Sequence, residues 1–486
     1  MNSQLHACRA RVALPARRRL PLFGLLLFAC ALLAAHLPVA GQNAPEPRRE
    51  QLLNGLRLLI ISRPGDPEVL LRARVHSGAA FDLAGREGLT ALLGDALFDA
   101  NTREFVREDL DGRLEVSTGY DYIDITLAGR ASDFERFVDL VRNGLTNTQL
   151  SPDVVGKLRE ARIKAAREVA PSPSAVADRA AAARLFGKHP YGRSIEGTPE
   201  SLARVERADL MLTRERFLNP NNTTLVIIGG VEPRTVMRLL RQNLGAWTKS
   251  DRVIPSTFRQ PEAPDARTLV IDSPGAAGVE VRLAVRGLAR ADRDAPAVHA
   301  LVALARARWA AALPELGSGK FFVRHDARTE SGIFLMGATL PSSASAAKAL
   351  DAARKVLAEL AGAAPAAAEF ETARQAASAS LSEGAGGGND LIADELLAEH
   401  TYKTRAVTRA ENALRLAALT PAEAQRVAAR LFLHTPVASV AVGEAARLTE
   451  ELARAGGVEV FGAPGAAPST QAAPTLPPPA VRLKRP

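Results

Sequence analysis

The spacing of apolar and polar residues along the chain changes repeatedly between a period of two and a helical period. Residues 120–127 alternate between apolar and polar side chains, which predicts a half-buried antiparallel strand. Helical spacing follows over residues 133–146 and 151–169. We expect the second of these helices to begin with Ser151 as its N-cap and a proline in its first turn. The pattern predicts a mixed structure of strands and helices.

The same pattern occurs twice. Residues 61–65 (Ile-Ser-Arg-Pro-Gly) precede an apolar strand pattern, and residues 271–275 (Ile-Asp-Ser-Pro-Gly) precede another at an offset of 210 residues. The gap-free matches are Pro64 with Pro274, Gly65 with Gly275, Val69 with Val279, Arg72 with Arg282, and Val75 with Val285. Near the end of each half, residues 225–229 correspond to residues 439–443. Agreement at two places with nearly equal offsets indicates one duplicated unit.

Composition changes suggest where the domains begin and end. A proline-containing stretch separates the two copies, and the C-terminal segment rich in Pro and Ala has too little apolar surface to fold. We predict a signal peptide at 1–41, an N-terminal domain at 42–248, a linker at 249–267, a C-terminal domain at 268–462 and a disordered tail at 463–486.

The N-terminal segment has the features of an export signal. Five arginines precede an apolar run over residues 20–35, and Val39-Ala40-Gly41 offers small residues for cleavage. We therefore expect a periplasmic or secreted protein without membrane attachment after cleavage; the alternative is an uncleaved anchor. Both cysteines of the chain lie in this segment, so the mature protein would contain no disulfide.

Charge argues against nucleic acid as a partner. The chain has 62 basic and 53 acidic residues, and loss of the five arginines in 1–41 would lower the formal net charge from +9 to about +4. No cluster of Lys and Arg with interleaved aromatic residues is present in the sequence. The composition therefore does not predict nucleic-acid binding.

Residues 85–98 read GREGLTALLGDALF. This segment resembles the signature of the pitrilysin/insulinase-type zinc peptidases, the M16 family, which runs G-x-x-G-L-A-H-L-L-E-H-M-L-F. In those enzymes the two histidines bind the metal and the glutamate is the general base. Here Ala91 and Asp95 stand at the histidine positions and Gly94 at the glutamate position. The glycines and leucines around them are kept.

The resemblance extends over most of residues 51–462. Residues 53–58 (LNGLRL) are similar to the opening strand of the family, and residues 189–192 (HPYG) with 197–202 (GTPESL) resemble its H-P-Y-G…G-T-x-E-x-L stretch. The resemblance implies an α+β fold with two homologous M16-like domains, each an antiparallel-rich sheet with helices packed on it. His189 in this stretch is expected to be a structural turn residue.

The resemblance also implies positions for other site residues. Ala165 stands where the family has its third metal ligand, a glutamate on a downstream helix, and Pro314 and Phe322 stand where it has a substrate-holding arginine and tyrosine. An edge strand that begins near Gly112 receives the substrate backbone in the family. The corresponding candidates for peptide binding are Leu114, Glu115, Val116, Ser117 and Thr118.

No cofactor is predicted. Zinc is expected for the family, but its ligands are absent, and the histidines of the mature chain do not form a local zinc motif. Residues 384–388 (GAGGG) lack the Lys-Ser/Thr that completes a phosphate-binding loop.

Three functions remain open. The first is a catalytically inactive subunit that pairs with an active M16 homologue as a heterodimer, or forms a homodimer, and contributes to a peptide-binding chamber. The second is an active zinc metalloendopeptidase with atypical ligands. The third is a non-proteolytic scaffold or binding protein.

Overall fold

The first half of the protein contains a six-stranded sheet. In a computed structural model, the described residues are 46–169, 172–252, 254, 258–317, 320–342, 344–383, 388–404 and 409–461. The first six strands are β1 (Arg48–Gln51), β2 (Arg57–Ser62), β3 (Glu68–Val75), β4 (Arg113–Thr118), β5 (Ile123–Arg130) and β6 (Thr223–Gly229). Their order in the sheet is β1-β2-β6-β3-β5-β4. Only β2 and β6 run parallel among these pairs.

The second half repeats this arrangement. Its strands are β7 (Thr268–Asp272), β8 (Gly278–Gly287), β9 (Phe321–Asp326), β10 (Gly332–Pro341), β11 (Ala438–Gly443) and β12 (Val458–Phe461). The order is β12-β7-β11-β8-β10-β9, with β12 in the place of β1 but parallel to its neighbour. The central strands β3 and β8, and β6 and β11, are those that the internal repeat aligns. The predicted α+β fold of two homologous halves is confirmed.

Helices surround the two sheets. Those of the first half are α1 (Leu89–Ala96), α2 (Ala100–Glu108), α3 (Phe134–Thr146), α4 (Pro152–Val169), α5 (Pro173–Phe186), α6 (Pro199–Ala203), α7 (Arg207–Phe217) and α8 (Pro233–Leu244). Those of the second half are α9 (Ala295–Ala312), α10 (Ala346–Gly362), α11 (Ala367–Glu383), α12 (Gly388–Thr401), α13 (Arg409–Ala418), α14 (Pro421–Phe432) and α15 (Ala445–Ala453). None of the helices that the structure describes combines the length and apolar character needed to cross a bilayer.

One helix from each half crosses over to the sheet of the other half. Helix α5 packs on β8 and β11, and α12 packs on β3 and β6. The apolar contacts are supplied by alanines and leucines, such as Ala177 and Ala181 on α5 and Ala393 and Leu397 on α12, all of them buried. Burying apolar area on both sheets stabilises the joined halves. All described residues from Glu46 onward form one compact unit.

An arginine on each central strand completes this exchange. Arg72 on β3 forms an ion pair with Asp390 on α12, and Arg282 on β8 forms one with Asp178 on α5. These are the two arginines that the internal repeat aligns. The repeat has therefore preserved an ion pair between each sheet and the helix that the other half provides.

Three predicted segments fall mainly or wholly outside the described residues. They are the signal peptide at 1–41, the tail at 463–486 and the glycine-rich residues 384–387.

Candidate functional site

A cavity of about 1110 Å³ lies between the two halves. Its walls come from α1, α4 and residues 192–200 of the first half, from α5, and from Arg324 and Arg328 of the second half. This volume is slightly above the range of about 300–1,000 Å³ that is typical of ligand pockets in proteins. The segment that resembles the metal-binding helix of zinc peptidases reaches this cavity through Asp95.

The start of α1 is determined by residues outside the helix. Gly88 has a φ of 91°, and a Cβ there would lie 2.8 Å from the carbonyl oxygen of Glu196, so only glycine fits. The carboxylate of Asp82 accepts hydrogen bonds from the backbone N–H groups of Gly88 and Thr90, both at 2.9 Å. Burial raises the pKa of Asp82 to about 6, although these hydrogen bonds oppose the shift. Residues 196–197 pack directly against Gly88, so the two segments that resemble the family, 85–98 and 197–202, contact each other in the fold.

A guanidinium group occupies the position of the missing metal ligands. Arg162 on α4 donates from Nε to the carboxylate of Asp95 at 2.8 Å and from Nη2 to the carbonyl oxygen of Ala91 at 3.3 Å. Its Nη1 donates to the carboxylate of Glu196. Ala91 and Asp95, the two histidine positions, are thus joined by an internal cation. Ala165 follows Arg162 by one helical turn and lines the same cavity.

Sequence reasoning did not identify Arg162. An arginine on a helix is usually a solvated residue, and nothing in its spacing distinguishes it. The available signal was its position three residues before Ala165, which places both on one face of α4. With its side chain 15% exposed, Arg162 is held between two helices instead of extending into solvent.

The residues present do not fit a zinc ion. Zinc sites in proteins use three or four His, Cys, Asp or Glu ligands. Within the described ranges, no group of three or more such residues could hold a metal. Asp95 is the remaining donor on α1, and Arg162 already neutralises it. Burial would lower the pKa of Arg162, but the hydrogen bond and charge of Asp95 raise it above its ordinary value, so the cation persists and would repel a metal ion.

The position of the family's general base is also closed. A Cβ at Gly94 would lie 3.3 Å from Val116 Cγ1 and 3.3 Å from Thr118 Oγ1, because α1 packs on β4. A glutamate at this position would require these side chains to move. Neither the metal nor the base of a zinc peptidase therefore has a counterpart on α1.

The predicted peptide-binding strand is the edge of the first sheet. Leu114, Glu115, Val116, Ser117 and Thr118 all lie in β4, which pairs with β5 on one side and with no other strand in the described part of the chain. None of these five is among the described residues that line the cavity. Tyr120 does line it, two residues beyond the strand, so β4 ends at the cavity.

The second half contributes arginine side chains to the cavity wall. Arg324 on β9 lines the cavity and pairs with Asp178 of α5. Pro314 and Phe322 are not among the described lining residues. The ring of Phe322 instead lies over Gly337, with the guanidinium carbon of Arg282 4.9 Å from its centre. The aromatic residue at this position therefore has a packing role.

The His-Pro-Tyr segment joins the two halves beside the cavity. The Tyr191 hydroxyl donates to Asp121 at 2.9 Å, and the backbone N–H of Thr329 donates to the other oxygen of Asp121 at 3.0 Å. His189 accepts from the backbone N–H of Tyr191 at 3.2 Å and lies 3.3 Å from a carboxylate oxygen of Glu330. His189 is thus a turn residue, as the sequence predicts, and its second contact fastens the turn to the second half.

Comparison with known proteins adds to this picture. A family model described as "Peptidase M16 inactive domain" matches residues 204–377. An uncharacterised zinc protease of Mycobacterium bovis is 28% identical over 217 residues, covering 43% of this chain and 49% of that protein. Subunit 1 of the mitochondrial cytochrome b-c1 complex of Bos taurus is 22% identical over 223 residues, covering 44% and 46%. The chain spans about half the length of the curated relatives it matches.

Solved structures share the fold over more of the chain. A protease from Helicobacter pylori has a TM-score of 0.73 at 17% identity and covers 82% of this chain and 99% of its own. The periplasmic protease PqqL from Escherichia coli has a TM-score of 0.67 at 15% identity, covering 85% of this chain and 48% of its own. At these identities the likeness shows the arrangement of the elements.

Proposed function

Because this chain belongs to the M16 peptidase family and is of its inactive type, we propose that it is a non-catalytic, peptide-binding subunit. In this proposal it pairs with an active zinc-peptidase homologue and forms part of a chamber for peptides. The single observation that carries the proposal is a large cavity that persists between the halves although Arg162 occupies the place of the metal. A cavity without a metal site or a general base is suited to binding and not to hydrolysis.

The edge strand supports the peptide part of the proposal. An extended peptide can add to an unpaired strand through main-chain hydrogen bonds while its side chains enter pockets. Strand β4 ends two residues before Tyr120 on the cavity wall, so a peptide paired with Leu114–Thr118 would continue into the cavity. The N-terminal end of β4 is less accessible to a peptide, because the side chain of Arg113 forms an ion pair with Asp390 of α12.

The partner part of the proposal rests on relatives. The bovine relative is named as a subunit of a complex, and PqqL is about twice as long as the region of it that this chain matches. A second chain would supply the other half of such a chamber. The partner is an active homologue in a heterodimer, or a second copy in a homodimer. The location we propose is the periplasm or the exterior after cleavage of the signal.

Affinity purification of the tagged full chain from the periplasmic fraction of its native cells tests the pairing. We expect a stoichiometric M16 homologue with an intact His-x-x-Glu-His motif, and chelator-sensitive cleavage of peptides by the pair but not by this chain alone. Recovery solely as a monomer would refute the pairing. Recovery with a stable partner that is not a peptidase would support a scaffold role, which the likeness to a b-c1 complex subunit favours.

A further inference from the structure

The acceptors around Arg162 differ in how firmly they are held. A guanidinium has five N–H donors, and those of Arg162 are directed at Asp95, Glu196 and the carbonyl of Ala91. The side chain of Asp95 is 38% exposed and belongs to α1, whereas that of Glu196 is 72% exposed and belongs to the segment between the His-Pro-Tyr turn and α6. Glu196 is thus the outer of the two carboxylates.

This difference makes Glu196 replaceable. An ion pair with a mostly exposed partner contributes at most about 1 kcal/mol, because water and salt screen it and the side chain loses freedom. A carboxylate that binds a guanidinium through two parallel hydrogen bonds interacts more strongly than a single contact. A ligand carboxylate inside the cavity could therefore displace Glu196 from Nη1 at little cost while Asp95 keeps Arg162 in place.

A second arginine adds positive charge to the same cavity. Arg179 on α5 is exposed at the cavity wall and forms no hydrogen bond or ion pair within the described part of the chain. Its neighbour Asp178 is already bound by Arg282 and Arg324. The lining contains five arginines and four acidic residues, so displacement of Glu196 by a ligand would leave a site that favours an anion.

We propose that Arg162 is a carboxylate-binding residue of the cavity, and that Glu196 is a built-in competitor which occupies this position until a ligand arrives. The ligand class is peptides that bear a carboxylate, either at the C-terminus or on an Asp or Glu side chain. This inference rests on the proposed function, since it assumes that the cavity admits peptides.

Fluorescence anisotropy with the full chain and dye-labelled, alanine-based peptides tests the inference. One peptide has a free C-terminus, a second has a C-terminal amide, and two further amidated peptides carry an internal Glu or Gln. We expect at least one carboxylate peptide to bind about tenfold more tightly than its neutral counterpart, as a charged hydrogen bond would give. A gain for the peptide with a free C-terminus would identify the terminal carboxylate as the bound group, and a gain for the amidated peptide with an internal Glu would identify a side-chain carboxylate.

Glu196→Gln gives the sharpest result. Removal of the competitor should strengthen binding of the carboxylate peptide about threefold, which corresponds to less than 1 kcal/mol, and leave the amidated neutral peptide unchanged. Glu200→Gln is the matched control, because Glu200 also lines the cavity but does not contact Arg162. Arg162→Met should abolish the preference, and circular dichroism would check that this variant is folded.

The outcomes separate the two proposals. Equal affinity for acidic and neutral peptides, or unchanged or weaker binding by Glu196→Gln, would overturn the inference and leave peptide binding standing. An equal gain from Glu200→Gln would attribute the effect to general charge and also overturn it. Absence of binding for all four peptides would refute both proposals.

Discussion

A histidine between the two halves should make this protein less stable in acid. His76 follows β3 and is mostly buried, and its ring nitrogens lie 2.8 Å from Thr224 Oγ1 and 3.0 Å from Thr401 Oγ1 of α12. Burial, reinforced by the charge of Arg74, lowers the pKa of His76 to about 3. The neutral ring suits this position, because one nitrogen donates and the other accepts.

The direction of the pH effect follows from the lowered pKa. Well above pH 6.5 the ring is neutral in both the folded and the unfolded protein, so His76 contributes no pH dependence to the free energy of unfolding there. As the pH falls from 6.5 towards 3, the unfolded chain binds a proton at His76 that the folded protein does not, and stability is lost. At pH 4.5 the pKa difference corresponds to a loss of about 3 kcal/mol in the free energy of unfolding.

Urea unfolding of the wild type and of His76→Gln at pH 7.5 and pH 4.5 measures this loss. Glutamine cannot titrate, so the stability advantage of the wild type over the variant should shrink by about 3 kcal/mol between the two pH values. His434→Gln is the control for replacing a histidine with glutamine, because His434 is exposed. A wild-type advantage that stays constant for His76→Gln would refute the reasoning.

Three other predictions follow from the site and the core. The purified chain should contain no stoichiometric zinc by mass spectrometry and should keep its melting temperature in a chelator. One equivalent of bound zinc would contradict the conclusion that the residues around Arg162 do not fit a zinc ion. Gly337→Ala should lower the free energy of unfolding by about 1–3 kcal/mol, since its new methyl group would meet the Phe322 ring at 2.1 Å, whereas Gly362→Ala meets nothing within 4 Å and should have little effect on urea unfolding. Arg282→Met should lower the free energy of unfolding by about 3–5 kcal/mol in the same assay, because it leaves Asp178 and Glu280 without their buried cationic partner. A loss below about 1 kcal/mol would show that these ion pairs are dispensable.

Much of the fold could be predicted because the same local pattern appears twice. The alignment of Arg72 with Arg282 located the central strands, and the structure gives the physical reason, since each arginine pairs with a helix from the other half. The strand predicted at 120–127 begins instead at Ile123. Residues 119–122 form a turn closed by a hydrogen bond from the N–H of Gly119 to the carbonyl of Tyr122.

Sequence reasoning could not place the exchanged helices or the ion pairs around the emptied site. The buried faces of α5 and α12 consist mainly of small and aliphatic side chains, and such surfaces fit against either sheet, so nothing local indicates which half they cover. Arg162 lies 67 residues from Asp95 in the sequence, and their contact arises only when α4 packs on α1. Local patterns therefore report which chemistry was lost, and the folded chain is needed to see what replaced it.

The replacement of a metal by a guanidinium changes what this position can do. A zinc ion both binds an oxygen atom and lowers the pKa of a bound water, so that the water becomes a nucleophile. The guanidinium of Arg162 retains the first property, because it is a cation that donates hydrogen bonds to oxygen, but it offers no open coordination site for water. Gly94 removes the base as well. A peptide oxygen can therefore be held at this position without activation of the bond beside it, so binding in this cavity would leave the peptide intact.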